Sequence, residues 1–113
     1  MVIIDSVIKE ASEAAAQYGL ELLEIDRTDS IISLKLVIDN DLFIKIYGNV
    51  EKNKLNLALV FKTKRLYGYD SEGGNPHTHP FENPDDHLFT DRTLSIQEFV
   101  SDSLRFLEER EIL

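Results

Sequence analysis

Between residues 32 and 69 the chain alternates apolar and polar side chains in short runs, and that pattern leaves few architectures open. Ile32, Leu34, Leu36 and Ile38 alternate with Ser33, Lys35 and Val37. Leu42, Ile44 and Ile46 alternate with Phe43, Lys45 and Tyr47. Leu55, Leu57, Leu59 and Phe61 alternate with Asn56, Ala58, Val60 and Lys62. A period of two marks strands with one buried face. Turn-forming groups separate the runs: Thr28-Asp29-Ser30, Asp39-Asn40-Asp41, residues 48–53 and Lys62-Thr63-Lys64. A parallel crossover needs about a dozen residues or more, so strands joined this closely are antiparallel neighbours. With residues 20–26 as a first strand and 65–69 as a last, the pattern predicts an antiparallel β-meander of about five strands.

Two amphipathic helices bracket the meander. Ile4, Val7, Ile8, Ala11, Ala14, Ala15 and Tyr18 fall on one face of a helix over residues 4–18. Asp5 or Ser6 is its expected cap, and Gly19 its left-handed terminator. Ile96, Phe99, Val100, Leu104 and Leu107 define a second helix over residues 96–110, and Ser95 with Glu98 forms a capping-box pattern. Both helices need an apolar surface, and the Leu/Ile side of the meander supplies it. The expected fold is therefore α+β, with the N- and C-terminal helices packed on one face of the sheet. At 113 residues the chain is one domain, residues 1–113.

Composition narrows the function classes. The absence of cysteine excludes disulfides, thiol catalysis and cysteine-ligated zinc. No run of about 18 apolar residues predicts a membrane span. The first residues lack the basic start and unbroken apolar block of a signal peptide, so a cytoplasmic location is the expectation. The net charge of −9 disfavours a nonspecific nucleic-acid coat protein. Residues 35–65 nonetheless carry seven basic and three acidic groups, so a local basic face is compatible with the acidic whole.

If the helices cover the Leu/Ile face, period-two alternation puts Lys35, Phe43, Lys45, Tyr47, Lys62, Arg65, Tyr67 and Tyr69 on the other. Cations interleaved with aromatics suit single-stranded nucleic acid, with cations on phosphate and rings on bases. The plainer reading is that tyrosine is a good residue for a half-exposed strand.

The segment after these strands holds all three histidines, His77, His79 and His87, and all three prolines. Pro76-His77-Thr78-His79-Pro80 places two imidazoles on one side of an extended backbone. Residues 70–91 read as a single long loop, and loops of that length are often functional. Histidine can take and give protons near neutrality, and Arg65 can stabilise charge on a phosphate. Those groups fit a metal-independent ribonuclease with His77, His79 and Arg65 as catalytic residues. Lys45, Tyr47, Tyr67, Tyr69 and His87 are then the candidate substrate contacts. The His-x-His spacing with Glu82, Asp85, Asp86 and His87 also admits a divalent metal, although it matches no tight metal signature. A third reading has the histidines merely hydrogen-bonding a turn to the sheet. Glu72-Gly73-Gly74 lacks the lysine and following helix of a phosphate loop.

The meander followed by Arg65-Leu66-Tyr67-Gly68-Tyr69-Asp70, then by Asn75-Pro76-His77-Thr78-His79-Pro80 and His87, resembles the TumE-like toxins. These are small bacterial and archaeal members of toxin–antitoxin pairs. The resemblance covers roughly residues 30–90. The chain departs from the pattern in carrying Ser71-Glu72-Gly73-Gly74 where a shorter turn is usual, and in lacking a dense second histidine pair. The resemblance implies a cytoplasmic protein with a cognate antitoxin as partner and growth inhibition as its activity. No cofactor is expected, and RNA is the candidate substrate. The rival expectation is a non-enzymatic interaction protein, in which Phe43, Tyr47 and Val60 are buried by a second copy or another partner. A metal-dependent hydrolase is the weakest of the three.

Overall fold

The computed structural model describes residues 1–73, 75–80, 88–89 and 93–112. It opens with helix α1 (Ile4–Tyr18) and closes with helix α2 (Ile96–Glu109). Between them run β1 (Glu21–Arg27), β2 (Ile31–Asp39), β3 (Leu42–Asn49), β4 (Lys54–Phe61), β5 (Lys64–Glu72), β6 (Asn75–His79) and the two-residue β7 (Leu88–Phe89). The strands lie in sequence order in one sheet, and every pairing is antiparallel. The fold is the expected α+β meander with a helix at each end, longer than the anticipated five strands.

The two added strands, β6 and β7, come from the segment read as a long loop. Asp70, Ser71 and Glu72 belong to β5, and Asn75 to His79 return beside them as β6. Glu72 pairs with Asn75, so only two residues separate the strands, and Gly73 takes φ 60°. A Gly-Gly pair is a strong hairpin signal, because two-residue hairpin turns favour positive φ. Pro76 and Pro80 counter that signal, since proline inside a run usually argues against a strand.

The helix caps follow their sequence signals unevenly. Gly19 ends α1 in the left-handed conformation, φ 67°, as expected. Its start is different: Ile3 is the N-cap, and no side chain caps it, so neither Asp5 nor Ser6 has that role. At α2 the capping box is complete, with Ser95 accepting from the Glu98 amide and Glu98 accepting from the Ser95 amide.

One face of the sheet is buried under the helices. α1 buries Val7, Ala11, Ala14 and Ala15, and α2 buries Ile96, Phe99, Val100 and Leu107. The sheet answers with Ile32, Leu34 and Leu36, then Leu42, Ile44 and Ile46, then Leu57 and Leu59. Tyr67 and Tyr69 complete this core, contrary to the expectation that they point off the opposite face. The cause is a bulge. Leu59 pairs with Tyr67, but Val60 pairs with Arg65, which leaves Leu66 unmatched. An extra residue reverses the phase of every side chain beyond it. Arg65 therefore shares the side of Val60, while Tyr67 and Tyr69 share the side of Leu59 and Leu57. Tyr67 stacks on Phe99, with centroids 4.8 Å apart and planes 8° apart, and meets Phe106 edge-on.

Candidate functional site

The opposite face can be assembled row by row from strand register. One row runs Leu23, Lys35, Lys45, Ala58, Gly68 and His79 across six strands. The next runs Ser33, Tyr47, Asn56, Asp70 and His77. A third holds Val37, Phe43, Val60 and Arg65. Of the anticipated site residues, this face brings together Lys45, Tyr47, Arg65, His77 and His79. It excludes Tyr67 and Tyr69, which lie beneath the helices and are 7% and 0% exposed. His87 lies outside the described residues, as do Glu82, Asp85 and Asp86.

The middle of the first row is built from small residues. Ala58 and Gly68 stand side by side where neighbouring rows carry bulky groups; the surface dips at Ala58, and the space over Gly68 is taken by Arg65 and His79. The resulting hollow, about 310 Å³, is lined by Lys45, Tyr47, Asn56, Ala58, Arg65 and Asp70. Glycine weakens a strand interior, and its presence there often marks a close approach. At Gly68 the approach is specific: a Cβ would stand 3.2 Å from Arg65 Cδ and 3.2 Å from both Cβ and Cδ2 of His79. The arginine and the histidine thus converge over the glycine.

A carboxylate organises the far wall. His79 Nε2 lies 2.8 Å from Asp70 Oδ2. In neutral histidine this bond places the proton on Nε2 and leaves Nδ1 as the acceptor. The amide orientation of Asn56 that satisfies its neighbours puts its nitrogen 3.3 Å from Asp70 Oδ1. Both carboxylate oxygens are therefore engaged, one from β4 and one from β6. On the near side, Asn49 Nδ2 donates to the Tyr47 hydroxyl at 3.2 Å, which aims that ring along the sheet.

The two histidines of β6 differ in access. His79 is 1% exposed and locked to Asp70, whereas His77 is only partly buried and pairs across the strands with Asp70. Direct proton exchange with a bound molecule suits His77. His79 is placed to hold the Asp70 carboxylate and to tie β6 to β5. Among the described residues no cluster of three His, Asp or Glu side chains could hold a metal ion. Among them, too, no helix is long and apolar enough to cross a membrane.

Sequence reasoning missed Asn56, Ala58, Gly68 and Asp70. A signal for them existed. Alanine and glycine at mid-strand positions are poor strand formers, and two such positions in adjacent strands mark a depression when they share a row. Chemically, the hollow offers two cations, a hydroxyl, an amide and the Asp70 carboxylate, whose oxygens face His79 and Asn56, next to a partly exposed imidazole. Comparison of the chain with protein-family models, with curated proteins and with solved structures returns no match.

Proposed function

We propose that the chain is a toxin-like member of a toxin–antitoxin pair that engages RNA through the open sheet face. The observation that supports this most is the hollow lined by Ala58, Tyr47 and Asn56, with Lys45, Arg65 and Asp70 around it. Two cations beside a hydroxyl suit a phosphodiester, with the Asp70 carboxylate in the same hollow engaged by His79 and Asn56, and arginine is the preferred partner for phosphate oxygens. The resemblance carried by the Arg65–Asp70 and Asn75–Pro80 segments points to the same class. Within this reading Arg65 and Lys45 hold phosphate, Tyr47 orients it, and His77 is the group assigned to proton transfer. RNA cleavage would be metal-independent, with the buried Asp70–His79 pair keeping the wall in place.

The test is binding of the purified chain to a labelled single-stranded RNA across a salt series. The Lys45→Ala/Arg65→Ala double variant should bind about tenfold more weakly or worse, with the log–log salt slope reduced by about two. Wild-type affinity and slope in that variant would remove the reading. Growth inhibition on expression should disappear in His77→Ala if the imidazole transfers a proton.

A second reading has its own observation. Leu23 and Ile25, on the edge strand β1, are 40% and 58% exposed, and Phe61 at the β4–β5 turn is 36% exposed. Such side chains suit contact with a second copy or an antitoxin. Light scattering on the purified chain decides for or against self-association.

A further inference from the structure

Beside the polar hollow lies a second one, and the two share a wall. It measures about 230 Å³ and is lined by Ile25, Ser33, Leu34, Lys35, Phe43 and Lys45. Lys45 also lines the polar hollow. The second hollow spans β1 to β3 and the first spans β3 to β5, so their centres are about two strand spacings, ~10 Å, apart. One is polar and cationic. The other is floored by an aromatic ring and edged by an aliphatic side chain.

Both features of the second hollow arise from identifiable local structure. In β1 the register passes from Glu24–Leu34 to Asp26–Ser33, which leaves Ile25 as a bulge. That bulge turns Ile25 toward the open face and leaves it 58% exposed. Phe43 lies on the open face because β3 directs Leu42, Ile44 and Ile46 into the core. The Lys35 ammonium rests 4.1 Å from the Phe43 ring centroid. Lys35 and Phe43 are both half-buried, and a stacked nucleobase can be worth more to the same ring than a single cation over its face. A flat group entering the hollow would therefore displace the ammonium, and the freed cation would lie beside any anion attached to that group.

We propose that the paired hollows form a nucleotide subsite for single-stranded RNA, with the base against Phe43 and Ile25 and the adjoining phosphate between Lys45 and Arg65. This rests on the RNA reading above and adds to it the strandedness of the substrate and the residue that meets the base. A duplex keeps its bases paired and stacked inside, so it cannot present one to Phe43.

The experiment measures anisotropy of a labelled RNA of about ten nucleotides, a length in the range of small single-strand sites. The same RNA is offered as a single strand, as a duplex and with abasic positions, with a mononucleotide as competitor. The intact single strand should bind about tenfold more tightly than the duplex or the abasic strand, as one or two stacked bases imply. Phe43→Leu keeps an apolar side chain in place and removes the ring. It should lower affinity for the intact strand to the abasic value and leave the salt slope unchanged. Equal binding of intact and abasic strands, or an unaltered Phe43→Leu, overturns the base subsite and leaves the RNA reading standing. No binding of any RNA overturns both. Binding of the mononucleotide without the oligonucleotide overturns the assignment to RNA.

Discussion

On the helix side of the sheet the row Leu34, Ile46, Leu57 and Tyr69 is filled by large side chains, while on the open side the neighbouring row runs through Ala58 and Gly68. The same strands build both faces, so the contrast isolates what each is for. The covered side gains its stability from apolar area removed from water. Tyr67 and Tyr69 enlarge that area, and stacking on Phe99 adds to it. The open side gives up packing in the middle of the sheet and gathers polar groups around the gap. Side chains on the first face should therefore govern folding, and those on the second should govern binding.

Four substitutions test that division, in falling order of their effect on stability. Phe99→Ala should cost about 3–5 kcal/mol, because Phe99 is fully buried and supports Tyr67. Denaturant unfolding measures it, and a small loss would mean that α2 is not an integral part of the core. His79→Ala should cost about 1–3 kcal/mol, because it removes a buried ring and leaves Asp70 without its 2.8 Å partner. This histidine lies on the open face yet belongs energetically with the core. A stability unchanged from wild type would return it to the binding side of the comparison.

Gly68→Ala adds a Cβ at 3.2 Å from His79 and Arg65. The arginine can move aside, but the histidine backbone is held in β6, so a loss of about 1 kcal/mol is expected. RNA affinity should also fall, because the added methyl pushes aside Arg65, which lines the hollow. Affinity at the wild-type level would show that the position of Arg65 over Gly68 is not needed for binding. Tyr69→Phe should change stability least. The Tyr69 hydroxyl is buried and makes no hydrogen bond among the described residues, so its removal is expected to be neutral or slightly stabilising. A melting temperature well below wild type would reveal a contact made by that hydroxyl.

Much of the architecture is legible in the sequence. Alternation at residues 32–38, 42–47 and 55–61 identified the central strands and their buried side. The Ser95/Glu98 box and Gly19 marked helix ends where they occur. The hairpin of β5 and β6 was obscured because Pro76 and Pro80 outweighed the Gly73-Gly74 signal between them. The uncapped start of α1 was obscured for a different reason. Asp5 and Ser6 are good caps in isolation, but the N-cap is Ile3, two residues before Asp5, and it ends the preceding extended backbone.

The candidate site was legible only in part. Lys45, Tyr47 and Arg65 are on the open face as the alternation implied, and His77 and His79 reach it from β6. The error over Tyr67 and Tyr69 has a single source, the bulge at Leu66. Counting by twos from Arg65 places residues 65, 67 and 69 together, and one unmatched residue separates the first from the other two.

What the sequence determined alone is the class of fold, the order of strands and the identity of the apolar face within each unbroken run. Those properties are local, since a period of two or of 3.6 is written into neighbouring residues. What tertiary structure decided is which side each strand presents after a bulge, and so which residues meet across strands. The convergence of Arg65, Asp70 and His79 over Gly68 depends on register between β4, β5 and β6. Register is set by pairing with another strand, and a single strand carries no record of its partner's phase.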